Sequence, residues 1–201
     1  MKTILITLSL FLITACGYVP HTPHIQPVFD EKNKIDVTYT FNAYGGHYDA
    51  NANMVANNNF LYLDETIEGI EDVLSKNPMI NSFAQSEAQH PDKFHLNIEL
   101  YFGSKEQGMP QMILSIITLG LIPFYFDLER HLLITVKAPD GFPAGKTLEA
   151  ITGTAQGGWF TLAQGSSFNP TATAPLITDQ ISEQFQIGLY NLTQKGAFAE
   201  Q

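Results

Sequence analysis

The sequence predicts an α+β domain, a mainly antiparallel sheet with two helices packed on one face. Three observations lead there. Apolar residues alternate with polar ones in several short runs, two longer runs repeat at helical spacing, and the order along the chain is strand, helix, two strands, an apolar insertion, two strands, helix. Ile35, Val37, Tyr39 and Phe41 alternate with Asp36, Thr38 and Thr40, the pattern of a half-buried strand. Between Phe60 and Asn77 the period changes, with Leu63, Ile67, Ile70 and Leu74 on one face. Asp64 and Glu65 suit the positive helix start, and Lys76, Asn77 and Pro78 mark its stop. A strand from Met79 to Gln85 follows. Phe94, Leu96, Ile98, Leu100 and Phe102 then alternate with His95, Asn97, Glu99 and Tyr101 in the clearest strand of the chain. Leu128 to Lys137 and Lys146 to Ala155 read as antiparallel partners around the Pro139-Asp140-Gly141 turn. Pro175 opens a last helix with Ile177, Ile181, Phe185, Leu189 and Leu192 inward and Gly196 just past its end.

Composition excludes several function classes. The 201 residues carry 10 basic against 20 acidic side chains, for a net charge of −10. Arg130 is the only arginine and the lysines are scattered, so no basic stripe exists to neutralise nucleic-acid phosphates or anionic lipid heads. A single cysteine, Cys16, excludes an internal disulfide and any multi-cysteine metal site.

The N-terminus has the form of an address. Met1 and Lys2 are a short positive region, and the apolar run from Thr3 to Ile13 is too short for a permanent membrane span. It leads into Ile13-Thr14-Ala15-Cys16, which resembles the lipobox of bacterial lipoproteins. That resemblance implies cleavage between Ala15 and Cys16, diacylglycerol on the Cys16 thiol and a fatty acyl group such as palmitate on the new amino group. Gly17, in place of the aspartate that retains lipoproteins at the inner membrane, implies the periplasm-facing side of the outer membrane of a Gram-negative bacterium. Two or three acyl chains anchor a protein firmly where one is marginal. Residues 1–15 are thus expected to be signal peptide, and 16–33 an acylated, extended tether rich in proline. Residues 34–201 are expected to form the domain. His21 and His24 lie in the tether, where Pro23 prevents the helix that would align them as metal ligands.

One segment breaks the pattern. Met112 to Phe126 contains no charged residue, is too short to span a bilayer at about 22 Å, and is interrupted by Gly120 and Pro123. It reads as a bend between two apolar arms, Met112 to Leu119 and Phe124 to Leu128. Either the arms are core or edge strands, or the segment is exposed and touches a membrane or partner through Leu119, Leu121, Ile122, Phe124 and Tyr125. Thr118 to Pro123, followed by an aromatic pair and the strand Leu128 to Val136, is similar to a segment of small, functionally uncharacterised lipoproteins of Gram-negative bacteria. The element order also resembles that of periplasmic accessory lipoproteins that help outer-membrane complexes assemble. Neither resemblance brings catalytic residues.

Catalytic patterns are sparse. Gln164-Gly165-Ser166-Ser167-Phe168 lacks the second glycine of a nucleophile elbow, and Trp159 reads as a core ring more readily than an exposed anchor. Tyr44, His47, Tyr48 and Asp49, around Gly45 and Gly46, form the most site-like loop: two phenols, an imidazole and a carboxylate where a ligand could approach. Glu129, His131 and Lys137 share one strand face, and His90 and His95 have no ligand partner near in sequence. No metal or cofactor is expected beyond the lipid on Cys16. The leading expectation is a non-catalytic envelope lipoprotein, an accessory or scaffold whose partners are the membrane, through its anchor, and an unknown envelope protein. A periplasmic carrier or sensor of a hydrophobic ligand held between sheet and helices is the alternative, and an envelope hydrolase built on His47 and Asp49 the third.

Overall fold

The computed structural model describes residues 16–20, 27–29, 34–45, 63–104, 113–114, 117–118, 122, 124–157 and 170–199. Six strands are paired in one mixed sheet: β1 (Cys16–Pro20), β2 (Ile35–Gly45), β3 (Ile80–Gln85), β4 (Phe94–Ser104), β5 (Phe124–Lys137) and β6 (Pro143–Gly157), in the order β1-β6-β5-β4-β2-β3. Two helices, α1 (Leu63–Lys76) and α2 (Pro170–Gln194), complete the α+β architecture. The chain divides into two compact units. One holds Met1–Thr22, Gly103–Glu129 and Thr152–Ile177; the other holds Pro23–Phe102, Arg130–Ile151 and Thr178–Gln201.

In the second unit, β2 delivers Val37, Tyr39, Phe41 and Ala43 to the core at alternate positions. The crossover through α1 returns the chain to the end of the sheet from which β2 started, so β3 runs parallel to β2. β4 lies on the other side of β2, also parallel, with Val37 opposite Phe94 and Tyr44 opposite Tyr101. The sheet is therefore less antiparallel than the strand order suggested. Because β3 and β4 flank β2, the connection 86–93 has to cross it. Gln89 Nε2 donates to the Ala138 carbonyl at 2.6 Å and ties that connection down.

The second helix buries the stripe its sequence presents; the first buries Ile70 and Leu74 of its expected stripe, leaves Leu63 and Ile67 half-buried and buries Thr66 instead. In α1 the buried residues are Thr66, Ile70 and Leu74, one helical repeat apart. Asn77 ends it by accepting the Met79 amide on its side-chain oxygen at 3.0 Å. In α2, Ile177, Ile181, Phe185, Leu189 and Leu192 are all buried, as their spacing predicts. The helix begins at Pro170, five residues before Pro175, and Pro170 meets the same start preference. Its end is a Schellman motif: Gly196 takes φ +74°, its amide donates to Thr193 and the Ala197 amide to Leu192. That turn seats Phe198 edge-on to Phe94, with ring centroids 5.5 Å apart.

Packing on the sheet is close. A β-carbon added at Gly188 of α2 would lie 2.5 Å from Ile134 Cδ1 and 3.3 Å from Thr147 Cγ2, so the helix rests directly on β5 and β6. Gly69 of α1 faces Ser182 of α2 with equally little room. These contacts put both helices on one sheet face.

In the first unit, β1 pairs antiparallel with β6, from Cys16 opposite Gly157 to Pro20 opposite Gly153. Residues 16–20 of the expected tether are thus extended but hydrogen-bonded along a sheet edge. Free amide and carbonyl groups on β6 attract any adjacent extended chain, which composition alone does not reveal. Further along the same expected tether, Phe29 packs edge-on against Tyr190 of α2 at 5.9 Å, within the second unit.

Candidate functional site

The uncharged segment supplies the first candidate. Residues 113, 114 and 117 are helical where one of the two readings expected a strand arm, and the Thr118 amide donates to the Leu114 carbonyl at 3.0 Å. The Thr118 hydroxyl donates to the same carbonyl at 2.9 Å and accepts the Ile122 amide at 3.2 Å, fastening the turn to the chain beyond Gly120. Ile113, Leu114, Ile117 and Ile122 remain 51%, 47%, 71% and 41% exposed, and Tyr125 at the start of β5 is 47% exposed. The second arm, from Phe124, lies in β5. Among the contact residues expected here, Ile122 and Tyr125 are exposed, Phe124 opens β5, and Leu119 and Leu121 lie outside the described residues. No helix among the described residues is long and apolar enough to cross a membrane.

The second candidate is the sheet face opposite the helices, where β2 and β4 lay their polar alternates side by side. Thr40 Oγ1 donates to Asn97 Oδ1 at 2.9 Å, and Asn97 Nδ2 donates to Glu99 Oε1 at 2.8 Å. The Tyr101 hydroxyl donates to Glu99 Oε2 at 2.7 Å, and its ring stacks on Tyr44 at 5.1 Å and 17°. Burial, with the Glu99 charge beside it, raises the Tyr44 phenol above its ordinary value of 10.0. Of the loop residues singled out in the sequence, Tyr44 therefore joins Glu99 and Tyr101. His47, Tyr48 and Asp49 lie outside the described residues, as do Trp159, Ser166, His21 and His24.

At the near end of this ladder Thr38 Oγ1 and His95 Nδ1 are 2.9 Å apart, both residues almost fully buried. Burial comes first among the causes that lower the His95 pKa from 6.5, followed by the positive charges of Lys137 and His90. These causes favour the uncharged imidazole beside the Thr38 hydroxyl. The parallel pairing of Thr38 with His95 creates this contact between residues 57 apart in sequence. Glu129 and His131 are half-buried and Lys137 exposed along β5.

Where β2 outruns β3, a cleft of about 490 Å³ is lined by Thr40, Phe41, Asn42, Gln85, Ser86 and Glu87. Glu87 supplies the one carboxylate among these lining residues. In the neighbouring ladder both oxygens of Glu99 already accept hydrogen bonds, so the carboxylate acts as a brace for Asn97 and Tyr101. Among the described residues no three His, Cys, Asp or Glu side chains gather as a metal-binding group. Neither a protein-family model nor a curated protein sequence matches the chain.

Proposed function

We propose that this chain is a non-catalytic, lipid-anchored lipoprotein of the cell envelope, held at the periplasm-facing side of the outer membrane. There it serves as an accessory or scaffold through membrane or protein contact. The observation that carries the reading is the exposure of Ile113, Leu114, Ile117 and Ile122 in a chain whose first sixteen residues end in a lipobox-like cysteine. A folded domain normally buries such side chains, and a group of them on the surface marks a contact site.

The test is expression of the full chain and its Cys16→Ser variant in a Gram-negative host fed an alkyne-tagged palmitate. The parent chain is expected to take up label and fractionate with outer membranes. The variant is expected to take up none and to leave the detergent-soluble membrane fraction. Label on both chains, or on neither, would overturn the lipoprotein reading.

A further inference from the structure

The first unit brings two features of the sequence, more than a hundred residues apart, to one end of three strands. β5 and β6 are sheet neighbours joined by the short turn in which the Ala138 amide donates to the Phe142 carbonyl, so they run antiparallel. Thr154 Oγ1 donates to Asp127 Oδ1 at 2.9 Å, which places those two residues side by side. Three residues further along β6 is its last residue, Gly157; three residues back along β5 is its first, Phe124. Cys16 in turn stands opposite Gly157. Cys16, Gly157 and Phe124 therefore end three adjacent strands, and Cys16 lies only two strand spacings, about 10 Å, from Phe124. Ile122 precedes Phe124 by two residues, at most about 7 Å of chain.

From this geometry we infer that the lipid on Cys16 and the exposed side chains of Ile113, Leu114, Ile117 and Ile122 form one membrane-contact surface, these residues entering the bilayer beside the anchor. The inference rests on the lipoprotein reading above and names a lipid surface as the occupant of its exposed segment. Three features favour lipid over a protein partner. The anchor and the turn share one sheet end, so acyl chains reaching a bilayer from Cys16 bring Ile122 to within some 20 Å of it. From Gln107 to Phe126 the sequence has no charged side chain that insertion would have to strip of water. Pairing of β1 with β6 leaves no slack at Cys16, so the anchor does not hold the domain off on a long leash. With a net charge of −10 the chain gains nothing from anionic headgroups, and the contact is apolar in origin.

Cys16 is the only cysteine, so the acylated chain has no free thiol and an introduced one is unique. The experiment uses full-length acylated protein carrying Ile117→Cys, Ile122→Cys or Thr152→Cys, each labelled with an environment-sensitive fluorophore and reconstituted into phosphatidylcholine vesicles. Thr152 is exposed and lies five residues, about 17 Å, from the end of β6. Emission from positions 117 and 122 is expected to shift to the blue and to be quenched several-fold less by iodide, with position 152 unchanged. If 117 and 122 are quenched as readily as 152 while the acylated chain stays with the vesicles, the turn remains in water. The proposal is then overturned, and a protein partner becomes the occupant. If mass spectrometry finds no lipid on the chain, the lipoprotein reading itself fails and the shared membrane surface fails with it.

Discussion

Placing two aspartates on the apolar turn, Ile117→Asp with Ile122→Asp, separates surface from core by energy. At 71% and 41% exposure neither side chain is buried. Each substitution on such a surface costs within about 0.5 kcal/mol, with a few tenths more for aspartate in the helical turn at 117. Both together come to about 1 kcal/mol. At a urea dependence of about 1–3 kcal/mol per molar, the unfolding midpoint falls by about 0.3–1 M. Had the segment been core, two unpaired charges would enter an apolar interior at several kcal/mol each, comparable with the whole stability of a domain, about 5–15 kcal/mol. Ile134→Asp, at a fully buried position, supplies that contrast and is expected to unfold the protein. The assay is urea denaturation followed by circular dichroism on the unacylated Cys16→Ser chain, then flotation of the same samples with phosphatidylcholine vesicles. The exposed portions of Ile113, Leu114, Ile117 and Ile122 add up to about two whole side chains, about 3–6 kcal/mol of transfer free energy. The parent chain is therefore expected to float weakly and the double variant not at all. A midpoint drop beyond about 1 M would refute the surface assignment, and equal flotation of both chains would refute the membrane contact.

Two further expectations concern the second unit. Gly188→Ala replaces a poor helix former, worth about 1 kcal/mol in favour, but forces a methyl 2.5 Å from the buried Ile134 Cδ1, an overpacking cost of about 1–3 kcal/mol. The net loss should shrink when Ile134→Val removes that carbon, so thermal melts of the two single variants and the double should be non-additive; additivity would show that the helix does not rest there. His95 titrates in the folded chain below its ordinary value of 6.5, so the unfolded chain takes its proton first. The stability that depends on His95 is complete above pH 6.5 and declines as pH falls through 6.5 toward the folded value. In urea melts from pH 7.5 to 5, His95→Gln should flatten that decline, whereas an unchanged slope would mean that His95 is not the buried neutral group.

Elements whose residues answer to their own neighbours were legible in the sequence. The α2 stripe from Ile177 to Leu192 and its Gly196 stop are local consequences of helical spacing and of a left-handed C-terminal turn. The alternation in β4 likewise separates Leu96, Ile98 and Leu100, all fully buried, from the polar ladder on the other face. Helices on one face and polar residues on the other follow from these periods. Of the candidate site, the uncharged run and its interruption at Gly120 and Pro123 were also plain, because charge and backbone permission belong to each residue separately.

Tertiary structure decided which strands became neighbours. Strand alternation is the same for a parallel or an antiparallel partner, so nothing local announced that β2 would lie between β3 and β4 and parallel to both, or that Thr38 would meet His95. The uncharged run had the same ambiguity, since an apolar residue looks alike in sequence whether a core or a membrane covers it. The exposure of Ile113, Leu114, Ile117 and Ile122 is a property of the folded chain. The pairing of Cys16 with Gly157, the partner residue beside Phe124, belongs to the same class. Charge, period and turn preference are properties of single residues and their near neighbours, and the sequence determined those. Strand order and exposure depend on which distant segments win the competition for each other's hydrogen bonds and apolar faces, and only the folded chain resolves that competition.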